Sequence, residues 1–335
     1  MIVKKRVYAR AGLLGNPSDG YHGKTIAFTF RNFYAEVTLY ESPEIELRPS
    51  QQDNSVFESL DALVESVDRT GYYGGIRLMK AAVRKFAEHC RKNGIKLPDQ
   101  NFTIRYETNI PRQVGLGGSS AIIMAVMKAL MGFYGVAILE HVLPNVVLAA
   151  ETDELGLVAG LQDRVAQSYG GLVYMDFDEA FMRENGCGRY ERLDPSFLPP
   201  LYIAYRTDLS KESSQALFRV RELYNLGDKK VVDTMREIAS LAETGREALL
   251  AGRPDELSRL MDRNFDLRAQ IYAISSGNLE MVRSARLAGS SCTFCGSGGA
   301  VVGTYDAPEM LERLRRAMVD GGYGFLVPEM AESEK

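Results

Sequence analysis

Tryptophan is absent from this chain of 335 residues, and histidine and cysteine are scarce, with three and four copies. Four cysteines are too few for a disulfide scaffold and suit a reducing compartment. Cys292 and Cys295 form an isolated C-x-x-C pair, but a zinc site needs two further ligands and the histidines are scattered along the chain. The scarcity of cysteine and histidine argues against a disulfide-rich or zinc-binding protein. We expect a cytoplasmic protein whose cysteines are ordinary thiols.

The sequence also has no large excess of positive or negative charge, and it has no long apolar run. Lys and Arg number 40 against 44 Asp and Glu, for a net charge of −4. This balance gives no electrostatic case for nucleic acid or an anionic membrane as a partner. No apolar stretch approaches the length of a membrane span, and residues 1–7 lack the apolar core of a signal peptide. We therefore expect a small-molecule partner, and no nucleic acid or membrane.

Two domains are predicted from the length and from a change of character after residue 176. The β-prone and helical segments before that point are 3–14, 25–39, 60–67, 75–91 and 145–155. After it come long charged amphipathic helices at 213–272, then a strand, a helix and a strand at the end. The pattern predicts an α+β protein with an N-terminal α/β domain at 1–176 and a C-terminal α+β domain at 177–335.

A glycine-rich loop at residues 111–121 lies between a β-prone run at 102–107 and an apolar helical run at 122–131. Glycines let a backbone approach a ligand closely, and a helix N-terminus offers unpaired N–H groups and a positive dipole end. The loop predicts a cradle for nucleotide phosphates; the alternative is a glycine turn with serine caps that binds nothing. The candidate phosphate-binding residues are Gly115, Leu116, Gly117, Gly118, Ser119, Ser120 and Ala121.

A second segment matches only the last three residues of a phosphate-binding loop motif. Gly23-Lys24-Thr25 ends like G-x-x-x-x-G-K-[ST], but the first glycine of that motif falls at Ser18. A helix should follow such a loop, whereas residues 26–30 are β-prone. We therefore predict that this segment does not bind phosphates.

The loop at 115–121 resembles the central motif of the GHMP kinases, the family of galactokinase, homoserine kinase, mevalonate kinase and phosphomevalonate kinase. Residues 10–19 resemble the first motif of the family, although Gly15-Asn16-Pro17 replaces its usual Gly-Glu-His, and residues 294–303 resemble its third motif. The resemblance implies a two-domain GHMP kinase fold whose N-terminal domain carries the phosphate loop. It also implies ATP as the phosphoryl donor and Mg²⁺ as the metal. We expect a monomer or a homodimer.

The resemblance further implies catalytic roles. Asp163 is expected to act as general base or to orient the acceptor hydroxyl, with Arg10 lowering its pKa and screening charge on the transferred phosphoryl group. Ser120 and Glu151 are expected to ligate Mg²⁺, with Glu154 as a rival for Glu151. The alternatives are a structural ion pair for Asp163 and a solvated helix acid for Glu151.

Several longer segments resemble the branch of the family that phosphorylates glucuronic acid at its anomeric hydroxyl; they are residues 12–19, 71–75, 109–113, 158–167 and 198–201. Galactose, arabinose, a heptose phosphate and mevalonate stay open as acceptors, as does a relative that binds a sugar or nucleotide without catalysis. For a sugar carboxylate Arg164 is the first candidate, followed by Gln162, Arg112 and Arg206. The other predicted substrate contacts are Asp19, Tyr21, His22 and Gly298.

Overall fold

The computed structural model describes residues 1–50, 74–207 and 214–331, apart from the side chains of residues 214–217. The predicted helix at 60–67, most of the segment 71–75 and the last four residues lie outside these ranges. Within them, no helix is both long enough and apolar enough to cross a membrane.

In the described residues, six strands form a first sheet around one long central strand. They are β1 (Ile2–Leu14), β2 (Lys24–Glu41), β3 (Glu46–Arg48), β4 (Phe102–Thr108), β5 (Leu172–Asp176) and β6 (Arg189–Leu193). β1 pairs antiparallel with almost the whole of β2, whose first residues also pair with β5 and whose last residues pair with β4. Because β2 begins at Lys24, a strand and not a helix follows Gly23, and the P-loop-like segment is not a phosphate loop.

Four strands of the described residues form a second sheet in the order β10-β7-β9-β8, with every neighbouring pair antiparallel. They are β7 (Leu201–Arg206), β8 (Cys292–Phe294), β9 (Ala300–Thr304) and β10 (Tyr323–Leu326). β6 comes after residue 176 in the chain and still pairs with β5 in the first sheet. The division of the chain into domains at 176 stays a prediction.

Helices cover both sheets, and the charged region predicted to be helical after residue 213 contains three of them. Those that the structure describes are α1 (Gly75–Lys92), α2 (Gly118–Tyr134), α3 (Leu143–Thr152), α4 (Gln162–Tyr169), α5 (Glu179–Asn185), α6 (Ser214–Asn225), α7 (Lys229–Leu250), α8 (Pro254–Ile271), α9 (Ser276–Leu287) and α10 (Pro308–Asp320). The predicted mixture of helices and sheets is confirmed.

Helix α2 is the central helix of the N-terminal half. It is buried on nearly every face because almost all of its residues are apolar, and it packs against β1, β2 and α1. Gly135, with a φ of 65°, ends it in the left-handed conformation that glycine adopts without strain. Since α2 is fixed in the core, the position of its first turn, and of the glycine-rich loop before it, is fixed as well.

Candidate active site

A cleft of about 1180 Å³ is lined by residues from both halves of the chain. Its walls include the segment after β1, the loop before α2, the first turn of α4 and the loop after β8. We call residues 113–118 the first glycine loop and residues 295–299 the second glycine loop. The cleft therefore lies where the three sequence motifs come together.

The two glycine loops pack backbone against backbone. Gly115 has a φ of 70°, and a Cβ built on it would lie 2.7 Å from the carbonyl oxygen of Gly298. Gly299 has a φ of 82°, and a Cβ there would lie 2.8 Å from the Cα of Val114. Neither position accepts a side chain without a shift of the backbone. Gly298, predicted to contact substrate, packs behind the first glycine loop and does not line the cleft.

Arg10 joins both glycine loops to Asp163. Its side chain is 4% exposed, and its Nε donates a hydrogen bond to Asp163 Oδ1 at 2.7 Å. Its Nη1 donates to the carbonyl oxygens of Gly115, at 2.8 Å, and of Cys295. Because Arg10 lies on β1 in the first sheet, these bonds hold Asp163 beside the first glycine loop. The structure thus brings the predicted pair together; the catalytic roles of its members stay predictions.

Asp163 lies in the first turn of α4, and its side chain is 19% exposed. Burial raises the pKa of this carboxyl, but the positive charges of Arg10 and Arg164 and the hydrogen bond from Arg10 lower it by more. The pKa of Asp163 therefore lies below its ordinary value, and the group is ionised at neutral pH. An ionised carboxylate can accept a hydrogen bond from an acceptor hydroxyl.

Glu151 divides its two carboxylate oxygens between two residues. Oε1 accepts a hydrogen bond from Ser119 Oγ at 2.7 Å, while Oε2 accepts from Arg164 Nε at 2.7 Å and from Arg164 Nη2. Ser120 is fully buried, and its hydroxyl donates to the carbonyl oxygen of Gly117 at 3.0 Å. Adjacent residues on a helix point about 100° apart, so the two serines cannot both face Glu151. The structure brings Ser119 to Glu151, where the sequence analysis expects Ser120.

The pair of oxygens on Ser119 and Glu151 fits a magnesium ion. Mg²⁺ is usually held in kinases by one or two protein oxygens together with substrate phosphates and water. Arg164 occupies Oε2 of Glu151 and leaves Oε1 with the Ser119 hydroxyl, and both residues line the cleft. Among the described residues, no cluster of three or more His, Cys, Asp or Glu side chains could hold a metal alone. A metal here would depend on the phosphates of a nucleotide.

Asp19 and Gln162 lie next to Asp163, and the backbone N–H of Gln162 donates a hydrogen bond to Asp19 Oδ2 at 3.1 Å. Burial raises the pKa of Asp19; that hydrogen bond offsets part of the effect, and the charge of Asp163 adds to it. The hydroxyl oxygens of Tyr21 and Tyr272 lie 3.2 Å apart on the same cleft. We call this part, built by residues 19–21, 162–163 and 272, the acceptor end of the cleft.

Three further predicted residues do not line the cleft. His22 is exposed, Ala121 is buried in α2, and Arg206 lies on β7 beside Gly277. The thiols of the C-x-x-C pair are buried in the core, and burial raises the pKa of Cys292 to about 12.

Two other candidates, Glu154 for the metal and Arg164 for the acceptor carboxylate, have partners within the protein. Glu154, the rival of Glu151, forms ion pairs of 3.0 and 3.2 Å with two basic residues of α1 and does not line the cleft. Arg164 does line the cleft, but its guanidinium is bound to Glu151 and, at 2.8 Å, to the carbonyl oxygen of Gly160. These contacts leave Arg164 poorly placed for a substrate carboxylate.

Sequence reasoning missed residues that the C-terminal helices contribute to the cleft. Arg268 on α8 is 2% exposed and donates hydrogen bonds to the carbonyl oxygens of Gly296 and Ser297, at 2.6 and 2.8 Å. These bonds fix the second glycine loop. Arg221 on α6 and Tyr272 after α8 also line the cleft. All three lie outside the motifs, and no spacing in the sequence indicates that they meet.

Known proteins of one family resemble this chain over most of its length. Residues 77–171 match the family model described as GHMP kinases N terminal domain. The chain is 47% identical over 308 residues to probable glucuronokinase 2 of Arabidopsis thaliana, with 90% of this chain and 84% of that protein covered. It is 46% identical over 306 residues to glucuronokinase 1 of the same plant, with the same shares covered. The chain belongs to the GHMP kinase family.

As a GHMP kinase, the protein is an ATP-dependent kinase, and the predictions of family and enzyme class are confirmed. The fold agrees as well. The GHMP kinase described here superposes on Lactococcus lactis galactokinase complexed with galactose with a TM-score of 0.79, covering 100% of this chain and 95% of that one. At 15% identity this likeness shows the fold alone.

Proposed function

We propose that this GHMP kinase transfers the γ-phosphoryl group of ATP to the anomeric hydroxyl of glucuronic acid and forms glucuronic acid 1-phosphate. The observation that carries the proposal is the 47% identity to a glucuronokinase over 90% of the chain. The cleft supports it, because a glycine loop at a helix N-terminus adjoins an ionised aspartate. Phosphoryl transfer to a hydroxyl needs both parts, one to hold phosphates and one to orient the nucleophile.

The first glycine loop would hold the phosphates of ATP. Its backbone N–H groups and the first turn of α2, which begins at Gly118, offer unpaired donors and the positive end of the helix dipole. Arg10 lies beside the loop and would screen charge that develops on the transferred group. The loop would thus position the donor through its backbone groups.

Asp163 would receive the acceptor hydroxyl. The hydroxyl oxygen forms a bond to the γ-phosphorus, the bond from that phosphorus to the β,γ-bridging oxygen breaks, and ADP leaves with the electron pair. The hydroxyl proton passes to the Asp163 carboxylate, which is ionised because Arg10 and Arg164 hold its pKa low. Arg10 would also keep the carboxylate in place during the transfer.

Ser119 Oγ and Glu151 Oε1 would hold Mg²⁺ together with phosphate oxygens. Bound there, the ion would neutralise charge on the β- and γ-phosphates. Arg164 would keep Glu151 oriented through the bonds to Oε2. This assignment takes Ser119 in place of Ser120, whose hydroxyl is already bonded to Gly117.

The proposal is tested by measuring ADP release with D-glucuronate, D-galacturonate, D-glucose, L-arabinose and mevalonate as acceptors. We expect kcat/KM for glucuronate to exceed that for glucose by about 10⁴-fold, the discrimination seen where a site would leave a buried polar group unpaired. Phosphorus NMR should show the product phosphate coupled to the anomeric proton. Equal use of neutral sugars, or a preference for mevalonate, would overturn the sugar-acid assignment and leave the kinase assignment standing.

A further inference from the structure

The cationic side chains of the cleft differ in what they already bind. Among the described residues that line it, five are arginines and none is lysine or histidine. Arg10 binds Asp163, Arg164 binds Glu151, Arg268 binds the second glycine loop, and Arg112 is also engaged within the protein. The fifth is Arg221, on α6.

Arg221 has a buried donor that nothing in the described protein satisfies. Its Nε is buried without a hydrogen-bond partner among the described residues. Its guanidinium carbon lies 4.7 Å from the centre of the Tyr21 ring, a distance typical of a cation–π contact. A buried N–H without an acceptor costs free energy, so an anion that reaches this guanidinium would gain the bond that the protein does not supply.

The position of Arg221 places this donor at the acceptor end of the cleft. Its Nη2 lies against Gly20, where a Cβ would approach it to 2.7 Å, so the glycine makes room for the guanidinium. Gly20 adjoins Asp19, whose carboxylate is bonded to the residue before Asp163. The guanidinium thus lies beside the segment that borders the proposed nucleophile-binding group.

We propose that Arg221 binds the carboxylate of the sugar acid and thereby makes the enzyme select uronic acids over neutral sugars. The inference rests on the proposed function. A guanidinium matches a carboxylate with two parallel hydrogen bonds, for which Nε and one Nη form the fork. The Tyr21 ring lies against the guanidinium, with 4.7 Å between its centre and the guanidinium carbon. Arg221 takes the role for which Arg164 is the first candidate in the sequence, because Arg164 is bound to Glu151 and Gly160.

The test compares wild type with Arg221→Gln on D-glucuronate and on D-glucuronamide, which has nearly the same shape and no charge. We expect KM for glucuronate to rise by about 30- to 1,000-fold in the variant, the usual loss when one partner of a buried charged pair is removed. The carboxylate is remote from the anomeric oxygen, so kcat should change little. Wild type should prefer glucuronate over glucuronamide by a similar factor, and Arg221→Gln should have no preference.

Arg219→Gln is the matched control, because Arg219 lies two residues away on the same helix and is exposed; its kinetics should equal those of wild type. Arg221→Lys keeps the charge and loses the fork, so its KM should fall between wild type and Arg221→Gln. Gly20→Ala should raise KM in the same direction by displacing the guanidinium. Melting temperatures establish that each variant is folded.

The outcomes separate the inference from the proposed function. If wild type phosphorylates glucuronate and the Arg221 variants retain both its KM and its preference over glucuronamide, Arg221 does not bind the carboxylate and the proposed function stands. If wild type does not phosphorylate glucuronate, the proposed function fails and the inference fails with it.

Discussion

The two ends of the cleft are built in different ways. The phosphate end is made of backbone: the first glycine loop, the start of α2 and the second glycine loop packed behind it. The acceptor end is made of side chains that come from distant stretches: Asp19 and Tyr21 after β1, Asp163 on α4 and Tyr272 after α8, with Arg221 on α6 beside them. Arg10 touches both ends, since it binds the Gly115 carbonyl oxygen and the Asp163 carboxylate.

This difference separates what the enzyme does from what it acts on. A backbone cradle needs glycines at fixed places in one continuous stretch, because a Cβ at Gly115 would meet the facing loop. Side chains at the acceptor end can be exchanged one at a time, and each exchange alters the shape and charge that the acceptor meets. The chemistry is therefore tied to a local motif, and the specificity to contacts between distant segments. Four predictions test this comparison.

The largest effect is expected at Asp163, where the two ends meet. Asp163→Asn keeps the shape of the side chain and removes its ability to take a proton. We expect kcat to fall by about 10²–10⁴-fold, the usual contribution of a positioned acid or base, while ATP binding measured by calorimetry stays nearly the same. The matched control is Asp153→Asn, since the Asp153 side chain is 58% exposed at the end of α3. A near-normal kcat in Asp163→Asn would contradict the role of Asp163.

The next effect tests whether the phosphate end depends on contact between the two glycine loops. Gly115→Ala combines a φ of 70° with a Cβ 2.7 Å from the Gly298 oxygen, so we expect it to lower the free energy of unfolding by about 2–4 kcal/mol. Gly135 has a φ of 65° with nothing within 4 Å of its Cβ, and Gly135→Ala should cost about 1–2 kcal/mol.

Urea denaturation of both variants isolates the loop contact, because the backbone strain is nearly equal in the two. Gly115→Ala should also raise KM for ATP, while Gly135→Ala should not. Equal losses of stability in the two variants would show that the loops tolerate a side chain between them, against the packing described above.

A smaller effect distinguishes the two serines at the start of α2. Ser119→Ala and Glu151→Gln should each lower kcat/KM at limiting Mg²⁺ by about 10- to 100-fold. The double variant should lose much less than the sum in free energy if both side chains hold one ion. The comparison is the same double-mutant cycle with Ser120→Ala in place of Ser119→Ala. Because the Ser120 hydroxyl is bonded to Gly117, the free-energy losses of Ser120→Ala and Glu151→Gln should add. Coupling to Ser120 and not to Ser119 would restore the assignment expected from the sequence.

The same comparison explains how much could be predicted from the sequence. The first glycine loop, the strand before it and the buried α2 follow from local composition, and the order of the motifs implies the fold. The choice between Ser119 and Ser120 needs the starting point of α2, since one residue rotates a side chain by about 100°. The tertiary packing of α6 brings Arg221 to Tyr21, and no motif marks this contact. The sequence motifs predict the backbone-built end of the cleft and name Asp19, Tyr21 and Asp163, which the structure places at the acceptor end. They miss Arg221 and Tyr272, which distant segments bring to the cleft.

The smallest effect is a shift in a pH profile, at the residue that joins the two ends. Below the pKa of Asp163 the carboxyl is protonated and cannot take the proton of the acceptor. In the wild type Arg10 and Arg164 hold the pKa of Asp163 below its ordinary value. As the pH falls, protonation of Asp163 should therefore lower kcat/KM only at pH values below the ordinary pKa of an aspartate. Arg10→Gln removes the larger of these two charge effects. Burial then raises the pKa of Asp163 with less opposition, so the loss of kcat/KM at acid pH should begin at a higher pH.

Arg6→Gln is the control for this shift, because Arg6 lies on the same strand, is 44% exposed and pairs with Glu36 away from the cleft. Its profile should match that of wild type. Arg10→Gln should also lower the melting temperature, since two carbonyl oxygens lose their donor, so the profile is measured well below that temperature. If the loss of kcat/KM at acid pH begins at the same pH in a folded Arg10→Gln protein, then Arg164 and Gln162 suffice to keep Asp163 ionised. Arg10 would then serve the two glycine loops alone, and the two ends of the cleft would be electrostatically independent.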